Sequence, residues 1–545
     1  MTLLTSVLPI VVAIVIVIRL LLSGRRPKNL PPGPPTLPII GNLHQMPTRD
    51  AHLQFEKWAR EYGPIYSLIL GTKILVVLSS DKAVKDLLDK RSNIYSHRQE
   101  MYIGQTLCSG DLRMLMLPYG ATWRMWRKLA HSLLNISVAK SYEPYQMLEN
   151  KQMLYEMVTQ PERCMYNIRR YTNSLTTTMV FGWRSSTYGD EKMAQLFDGF
   201  EQFAELNQTG IAALVDFFPW LRRLPDFLMP VCAKARELHK KEKELYLGHW
   251  LKAKEETKAG RIMPCASEDL VAAQKTEGFS DDEACYFTGT LLEAGSDTTS
   301  STLYAFVQAM LLYPEVQKKA QEEIDRVVGP NRMPTMDDER DLQYIRAIVK
   351  ETLRWMPCAI MGAVPHAVTQ DDWYDGYLIP KNAGVLNNVW AIHMHPARHP
   401  EPRRFNPDRY LDDFQSFADA AANPDVSKRD QFTFGAGRRI CQGMHVAERS
   451  LFLGVARMLW AFDFTPAMDS QGKPIIPDQE RLTQGFVCQP EEFPVTITPR
   501  SEARRKMVIG EWRVAERECL DPVTKQWRVS PLGKARNDTQ GTGVR

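Results

Sequence analysis

Features typical of several protein classes are missing from this sequence of 545 residues. The nine cysteines are spread along the chain and none forms a CxxC pair, which argues against a disulfide scaffold. A net charge of +4 is too small to indicate nucleic-acid binding. Residues 40–500 contain no internal repeat and no long Gly/Ser-rich or Pro-rich linker, so we expect one large domain.

A single long hydrophobic run stands at the beginning of the chain. Leu3 to Leu22 is almost unbroken Leu, Ile and Val, and as a helix it would rise about 30 Å, enough to cross a bilayer. A cleaved secretory signal is the alternative. Such signals begin with basic residues, whereas here Arg25, Arg26 and Lys28 follow the run. The positive-inside rule then predicts a lumenal start and a cytosolic body.

The body is predicted to be mainly α-helical with small β-sheets, an α+β class. Two β-rich runs, Ile65–Leu70 and Ile74–Leu78, flank a short polar turn and predict a hairpin. Residues 254–282 are polar and contain glycine, so we expect a surface loop there. The hydrophobic pattern weakens towards the end, and residues 522–545 are predicted to be a disordered tail.

Two helices stand out in the second half of the chain. The first should begin after Ser280, whose side chain can form a capping box with Glu283, and should end before Pro314. Its length of roughly 50 Å indicates a central element. The second, from about residue 341 to 356, has an apolar stripe at helical spacing.

Cys441 differs from the other cysteines because of its neighbours. It lies in the segment Phe-Gly-Ala-Gly-Arg-Arg-Ile-Cys-Gln-Gly, residues 434–443. The glycines allow a tight turn whose backbone N–H groups can point at the sulfur and stabilise a thiolate. A helix predicted from Met444 to Phe462 would add its positive N-terminal end. Arg439 could pair with a carboxylate of a ligand.

Two other interpretations concern the same part of the chain. Gly435 and Gly437 could belong to a dinucleotide-binding loop, but the third glycine and the following acidic residue are missing. His393, His395 and His399 could bind zinc, but no HExxH or CxxC motif accompanies them. We interpret these three histidines as surface residues.

Two further patterns have an ordinary and a functional interpretation. Glu351 and Arg354 are three residues apart on the second predicted helix, a spacing that suits either a surface ion pair or a structural motif. Ala-Gly-Ser-Asp-Thr-Thr, residues 294–299, lies midway along the long helix. Asp297 beside Thr298 could relay protons, or the segment could be a kinked core helix with a structural aspartate.

Taken together, these motifs resemble one family. Phe-Gly-x-Gly-x-Arg-x-Cys-x-Gly resembles the haem-binding signature of the cytochrome P-450 family, and the similarity covers roughly residues 30–510. The resemblance implies the fold of that family and haem b (iron protoporphyrin IX), with Cys441 as the axial ligand of the iron. A thiolate ligand favours O–O cleavage.

The same resemblance implies roles for further residues. Those that would contact the haem are Phe434, Gly435, Arg439, Trp123, Arg127, Arg98 and His366. For Arg98 the match is incomplete, because Gln99 stands where the family usually has proline. Glu351 and Arg354 resemble the ExxR motif, and Phe-Asn-Pro-Asp-Arg, residues 405–409, would supply Arg409 as their structural third member.

Residues 294–299 resemble the oxygen-activation motif of the family, with Asp297 and Thr298 as the catalytic residues. The implied activity is monooxygenation of an apolar or aromatic small molecule. A separate NADPH–cytochrome P-450 reductase would supply electrons, since the chain has no flavin or nicotinamide motif, and cytochrome b5 is a further candidate partner. A haem–thiolate isomerase or dehydratase needing no electrons, a detoxifying monooxygenase and a haem sensor are the alternatives.

The resemblance also divides the chain. Residues 1–24 are predicted to be a single-pass signal anchor, residues 25–40 a basic and proline-rich hinge, residues 41–521 the haem–thiolate catalytic domain, and residues 522–545 the tail. This layout predicts an endoplasmic reticulum membrane protein with its catalytic domain in the cytosol. It is similar to that of filamentous-fungal members, many of which modify secondary metabolites.

Overall fold

The structure, a computed structural model, describes residues 24–207 and 211–532. The predicted anchor, residues 1–24, lies outside the described residues except for Gly24. Within those described ranges, no helix is both long enough and apolar enough to cross a membrane.

The predicted hinge is fixed against the body of the protein. The Arg26 guanidinium donates hydrogen bonds to the carbonyls of Pro31 and Pro34, at 3.1 and 3.0 Å. The backbone N–H of Ser67 donates to the Pro32 carbonyl at 2.7 Å. A Cβ atom on Gly33 would lie only 2.1 Å from the Ser67 carbonyl oxygen, so this close approach requires glycine. The hinge therefore runs along a strand edge as part of the folded body.

Helices dominate the fold, as predicted. The α-helices are α1 (Ala51–Tyr62), α2 (Asp81–Val84), α3 (Ser92–Tyr95), α4 (Ala121–Leu134), α5 (Ile136–Ser141), α6 (Glu143–Thr159), α7 (Cys164–Phe181), α8 (Glu191–Asn207), α9 (Ile211–Phe217), α10 (Pro230–Lys258), α11 (Ala266–Glu277), α12 (Asp281–Leu312), α13 (Pro314–Val327), α14 (Gln343–Trp355), α15 (Val389–His393), α16 (Phe417–Ala422), α17 (Met444–Ala461) and α18 (Glu502–Cys519). The strands are β1 (Ile65–Leu70), β2 (Lys73–Leu78), β3 (His97–Arg98), β4 (His366–Ala367), β5 (Asp372–Tyr374), β6 (Tyr377–Ile379), β7 (Gly384–Asn387), β8 (Phe462–Pro466) and β9 (Val495–Pro499).

The main sheet has five strands in the order β1-β2-β7-β4-β3. β1 and β2 pair antiparallel from Ile65 with Leu78 to Leu70 with Lys73, so the predicted hairpin is confirmed and its second strand begins one residue early. β7 runs parallel to β2. Two neighbouring parallel strands need a long crossover connection between them. Here most of the helices form the connection from β2 to β7. Two-stranded sheets, β5-β6 and β8-β9, complete the β-structure.

The long helix α12 crosses the middle of the molecule. Its predicted capping box is confirmed: the Ser280 hydroxyl accepts from the Glu283 N–H at 3.1 Å, and the Glu283 carboxylate accepts from the Ser280 N–H at 2.8 Å. From Leu303 to Leu311 every residue is buried, because α12 packs against α7, α10 and α17. The other two predicted helices are confirmed as α14 and α17.

The loop predicted for residues 254–282 is wrong. Helix α10 continues to Lys258, and α11 occupies Ala266–Glu277. The hydrophobic pattern does not reveal α11, because only its first two turns contain buried residues. Leu270 and Val271 are the larger apolar ones among them. A helix that buries so narrow a stripe has an almost polar sequence.

The prediction places the start of the disordered tail too early in the chain. Residues 520–532 fold back on the body after α18, and Trp527 is buried with its ring centre 5.3 Å from that of Tyr145. The Arg184 N–H donates to the Gln526 side chain at 2.7 Å. The prediction is therefore wrong for residues 522–532, and residues 533–545 lie outside the described part of the chain.

Glu351 and Arg354 form a fully buried ion pair, so the surface alternative is wrong. Arg354 donates twice to the Glu351 carboxylate, at 2.6 and 2.7 Å, with neither side chain exposed. The Arg409 Nε atom lies 3.5 Å from the same carboxylate. The Asn406 N–H adds a 2.8 Å hydrogen bond. The structure thus brings the three predicted structural residues together and ties the segment around residue 406 to α14.

Replacing Trp527 tests the ordered tail. We expect Trp527→Ala to lower the free energy of unfolding by about 3 kcal/mol, because a buried indole leaves a cavity against Tyr145. Val523→Ala is the matched control, since Val523 lies in the same tail and is 85% exposed. The urea midpoint measures both variants, and equal midpoints would contradict the packed tail.

Replacing Glu351 tests the buried ion pair. Glu351→Gln should destabilise the fold by about 3–5 kcal/mol, because Arg354 would keep a buried charge without its partner. Glu401→Gln is the control, since Glu401 makes an exposed pair with Arg404 at 3.8 Å and should cost less than about 1 kcal/mol. Similar urea midpoints for the two variants would show that the buried pair adds nothing special.

Candidate active site

The loop before α17 is closed by short contacts of its backbone. The Cys441 N–H donates to the Phe434 carbonyl at 2.9 Å, and Phe434 packs on Phe417 with ring centres 5.3 Å apart. Gly437 has φ +61°, and a Cβ atom there would lie 1.8 Å from the Leu88 carbonyl oxygen. The loop can therefore reach the turn at residues 85–90 only with glycine at this position. No strand precedes the loop in residues 423–433, unlike a dinucleotide-binding loop.

Cys441 is the exposed cysteine of the described chain, while Cys519 is half-buried and the others are buried. The protein packed around the loop raises the pKa of the Cys441 thiol by desolvation. Backbone N–H groups of Gly443 and Met444 and the charge of Arg127 act in the opposite direction. The amides at the start of α17 thus lower the pKa of the thiol, which favours the thiolate.

Two predicted arginines lie close to the ring of Trp123. The guanidinium carbon of Arg439 lies 4.2 Å from the Trp123 ring centre, and that of Arg127 lies 5.8 Å from it. Trp123 and Arg127 are four residues apart on α4 and share one face. Arg127 donates to the carbonyl of Ile440 in the loop, and Arg439 donates to the Ser96 carbonyl at 2.9 Å. This stacking joins α4 to the Cys441 loop.

Arg98 completes a cluster of three arginines that has no acidic partner in the described part of the chain. Burial lowers the pKa of Arg439 to about 8, with the charges of Arg98 and Arg127 adding to the effect. Burial also lowers the pKa of Arg98 to about 9 and that of Arg127 to about 10. In the described ranges, none of the three makes an ion pair with a carboxylate within 4.0 Å. The cluster is suited to an anionic group.

His366 lies next to this cluster. Its Nδ1 atom lies 2.9 Å from the Tyr95 carbonyl oxygen, which can only accept, so Nδ1 carries the hydrogen. Burial, followed by the charge of Arg98, lowers the pKa of His366 well below its usual value. A neutral ring with hydrogen on Nδ1 has none on Nε2. His366 is therefore a poorer donor to a carboxylate than the arginines.

These donors fit the haem that the sequence resemblance implies. A cysteine whose thiolate is supported by loop amides can bind iron. Three arginines without acidic partners suit the two carboxylate side chains of that group. Cys441, Arg98, Arg127 and Arg439 therefore provide the chemistry that the ligand needs.

The acid–alcohol motif lies midway along α12, which continues through it without a break. The Thr298 hydroxyl donates to the Ala294 carbonyl at 2.7 Å. Ala294 is exposed although the helix core on either side is buried. Burial raises the pKa of Asp297 to about 6, the charge of Arg169 opposes this, and Glu293 adds to it.

Cys358 shows that the two motifs converge. Burial raises the pKa of the Cys358 thiol to about 12, and charges on both Asp297 and Cys441 contribute to this increase. The Thr302 side chain, one turn after Thr298, hydrogen-bonds to Cys358. The loop before α17 and the middle of α12 therefore lie near the same buried side chain. Its own sequence pattern does not distinguish Cys358 from the other buried cysteines.

An apolar cluster borders this region. Its buried members are Ile103, Leu107, Cys108, Met116, Phe203, Leu206, Val215, Met229, Cys232, Ala235, Leu238 and Val364. Met101 and Phe486 pack against it. Ile360 belongs to the main core instead, and Met361 packs against that core. The cluster combines segments far apart in sequence, so no local pattern reveals its membership.

The histidine trio does not form a metal site. Among the residues that the structure describes, no group of three His, Cys, Asp or Glu side chains could hold a metal ion. The surface prediction is correct for His395 but wrong for His393 and His399, which are buried. His393 accepts from the Phe432 N–H at 2.8 Å, and its other ring nitrogen lies 3.1 Å from the Arg354 carbonyl. His393 therefore connects the buried ion pair to the Cys441 loop.

Known proteins resemble the chain over almost its whole length. The family model for cytochrome P-450 matches residues 31–497. The cytochrome P-450 monooxygenase virE of Hypocrea virens is 52% identical over 511 residues, covering 94% of this chain and 92% of that relative. The monooxygenase fogE of Aspergillus ruber is 49% identical over 530 residues, 97% of each chain. The chain therefore belongs to the cytochrome P-450 family of oxidoreductases, whose cofactor is a haem bound through a cysteine thiolate.

Proposed function

We propose that this chain is a monooxygenase that inserts one oxygen atom of O2 into an apolar or aromatic small molecule. A separate NADPH–cytochrome P-450 reductase would supply the electrons. The observation that carries the proposal is that the charges of Cys441 and Asp297 both raise the pKa of the same buried thiol, Cys358. A cysteine in a closed loop and an acid on the central helix are the two groups that such a reaction requires.

The haem would be held by residues from three parts of the chain. Cys441 would bind the iron, and Arg98, Arg127 and Arg439 would neutralise the carboxylates. Trp123 supports two of these arginines, and Phe434 and Gly435 shape the loop. Bound there, haem b supplies the activation of O2.

Asp297 and Thr298 would supply protons from the α12 side. A carboxyl group with a pKa of about 6 exchanges protons readily near neutral pH. The Thr298 hydroxyl is bonded only to a backbone carbonyl in this structure, so it can rotate to donate elsewhere.

A haem–thiolate isomerase or dehydratase is the second candidate. Such an enzyme needs neither electrons nor the protons that oxygen reduction consumes. The acid–alcohol pair at residues 297–298 supports the monooxygenase instead. Turnover that depends on NADPH and reductase would distinguish the two, and it would also count against a haem sensor.

The substrate class is inferred from the surroundings of α12. The cluster around Phe203 and Phe486, whose ring centres are 5.8 Å apart, is largely apolar. Relatives at 52% and 49% identity are fungal monooxygenases. We therefore place the reaction, a hydroxylation or related oxidation, in fungal secondary metabolism, with detoxification as the alternative.

Residues 1–24 would anchor the protein in the endoplasmic reticulum membrane, with the body in the cytosol. An exposed apolar surface supports this part of the proposal, because Trp220, Phe227 and Leu228 are 62%, 80% and 55% exposed. Leu37 and Ile39, near the end of the predicted hinge, are exposed as well. Exposed large apolar side chains are typical of a surface that meets lipid or protein.

The reductase would bind near the Cys441 loop. Arg124, Lys128 and Arg438 are exposed there and form a small basic surface. Arg127 and Arg439 do not belong to this surface, because both are partly buried: Arg127 donates to the Ile440 carbonyl, and Arg439 lies over the Trp123 ring. Cytochrome b5 would use the same surface.

An absorption spectrum tests the thiolate. The full chain in microsomal membranes, reduced and exposed to carbon monoxide, should show the strongly red-shifted Soret band of thiolate-ligated haem. Cys441→His should lose that band, whereas Cys519→Ser, a change in α18, should keep it. A band retained in Cys441→His, or a histidine-type band in the unchanged chain, would refute the assignment.

Replacing Thr298 tests the proton role. Thr298→Ala should lower product formed per NADPH by about tenfold and raise the H2O2 released, because the alcohol no longer assists proton delivery. The assay uses the compound that the unchanged enzyme converts best in a screen of apolar aromatic molecules. Thr290→Ala is the control, because Thr290 makes the same kind of carbonyl bond two turns earlier, at 2.8 Å. Unchanged coupling in Thr298→Ala would overturn the role.

A further inference from the structure

A buried ionic cluster includes Glu293, the residue directly before the acid–alcohol motif of α12. Arg113 contacts two carboxylates: its Nη2 atom lies 2.5 Å from Glu242, and its Nη1 atom donates to Glu293. The Tyr246 hydroxyl donates to the same Glu293 oxygen. The Arg113 Nε atom donates to Ser109 at 2.9 Å. We call Arg113, Glu242, Glu293 and Tyr246 the roof cluster.

The roof cluster joins three segments of the chain next to the apolar cluster. Arg113 follows the turn at residues 102–107, Glu242 and Tyr246 lie on α10, and Glu293 lies on α12 directly before Ala294. The Arg113 guanidinium carbon lies 4.3 Å from the centre of the Phe203 ring, which belongs to the apolar cluster. Side chains of Arg113 and Glu242 are each 5% exposed, and that of Glu293 is 13% exposed. The charges are therefore almost removed from water.

The charges of the roof cluster do not cancel when both acids are ionised. One guanidinium faces two carboxylates, and a buried net charge is strongly unfavourable. Such a pair takes up a proton instead. The pKa of Glu242 is consistent with this: burial raises it to about 8, Glu293 adds to the increase, and Arg113 opposes it. A pKa of about 8 leaves Glu242 mostly protonated near neutral pH, and one proton removes the net charge of the cluster.

Other titratable groups surround the cluster. On α12, Tyr286 hydrogen-bonds to His239 of α10 at 2.5 Å, and desolvation raises the pKa of Tyr286. Cys108, in the segment before Arg113, also has its pKa raised by burial, to about 12. Lys243 on α10 is engaged with Asp282 at 2.6 Å. None of these adds a second cation next to Glu293, so the excess of acid remains.

Asp297 requires a source of protons. Monooxygenation consumes protons as well as electrons, so an acid that gives up a proton must regain one in each cycle. Asp297 is influenced by Arg169, Glu293 and the exposed Glu201. The positive charge of Arg169 lowers the pKa of Asp297, so the two glutamates are the candidate proton donors. Glu293 is four residues before Asp297 on α12, a spacing that places two side chains on the same helix face.

We propose that Glu293, through the proton that it shares with Glu242, returns protons to Asp297. In this step the carboxyl O–H bond of Glu293 breaks, the proton passes to the Asp297 carboxylate, directly or through water, and Glu293 is left as a carboxylate. Arg113 stabilises that carboxylate, and Tyr246 keeps it in place. Glu293 thus acts through Asp297 and does not itself meet the reacting atoms. The inference rests on the proton role proposed for Asp297.

The stored proton is tested first, without any turnover. Infrared difference spectra at pH 7 should contain a protonated-carboxyl band that disappears in Glu242→Gln and equally in Glu293→Gln. Both single variants should lose it, because the remaining acid then pairs one-to-one with Arg113 and ionises. Asp282→Asn, which removes an exposed acid between the same two helices, should keep the band. If neither glutamine variant removes a band, no proton is stored and the proposal fails.

Delivery to Asp297 is tested by NADPH oxidation with saturating reductase and no added substrate. Glu293→Gln should slow this oxidation about tenfold, less than the roughly hundredfold loss expected for an acid that acts directly. It should also raise the rate ratio between H2O and D2O. A merely structural role would change neither the isotope ratio nor the band, provided that the carbon-monoxide spectrum shows intact haem.

Two control variants decide between routes. Asp282→Asn and Glu201→Gln should leave the oxidation rate and the isotope ratio unchanged. If Glu201→Gln produces the loss and Glu293→Gln does not, protons come from the exposed acid and the proposal is overturned. If the monooxygenase proposal fails instead, the unchanged chain shows no thiolate band and no NADPH oxidation. The infrared result depends on neither and would still stand.

Discussion

The buried contact between Glu351 and Arg354 organises the segments that lead to the candidate site. Arg354 also donates to the His393 carbonyl at 3.2 Å, and the His393 ring accepts from the Phe432 N–H at 2.8 Å. The Cys441 loop begins two residues later, at Phe434. Because neither charge is exposed, losing one partner would leave the other unpaired in a dry interior. One ion pair on α14 thus determines where the loop starts and which way it faces.

The candidate site has an excess of positive charge on one side and an excess of negative charge on the other. Next to the loop, Arg98, Arg127 and Arg439 have lowered pKa values and no acidic partner among the described residues. Beside α12, Arg113 faces two carboxylates. A folded protein tolerates such an excess only where something else compensates for it. An anionic cofactor would compensate for the first excess, and a bound proton compensates for the second.

Around the acid–alcohol motif, the two faces of helix α12 have different environments. On one side, the Thr172 hydroxyl donates to the Ser296 carbonyl at 2.7 Å, and a Cβ atom on Gly295 would lie 2.5 Å from the Thr176 hydroxyl oxygen. This contact with α7 leaves no room for movement on that side. On the other side, Ala294 is exposed. The tight packing of one face therefore holds Asp297 and Thr298 in position on the other.

The sequence alone determined the local elements and the identity of the main groups. The hairpin at Ile65, the capping box at Ser280 and the glycines around Cys441 depend on neighbouring residues, and such short-range rules can be read directly. Motif matches likewise indicated Trp123, Arg127 and Arg439, which stack together in the fold. Only the tertiary structure decided what depends on distant segments: the burial of His393, the packed Trp527, and the meeting of Arg113 with Glu242 and Glu293. The reason is physical, because burial and charge pairing are properties of the three-dimensional neighbourhood, and no local pattern encodes which chain segments will share it.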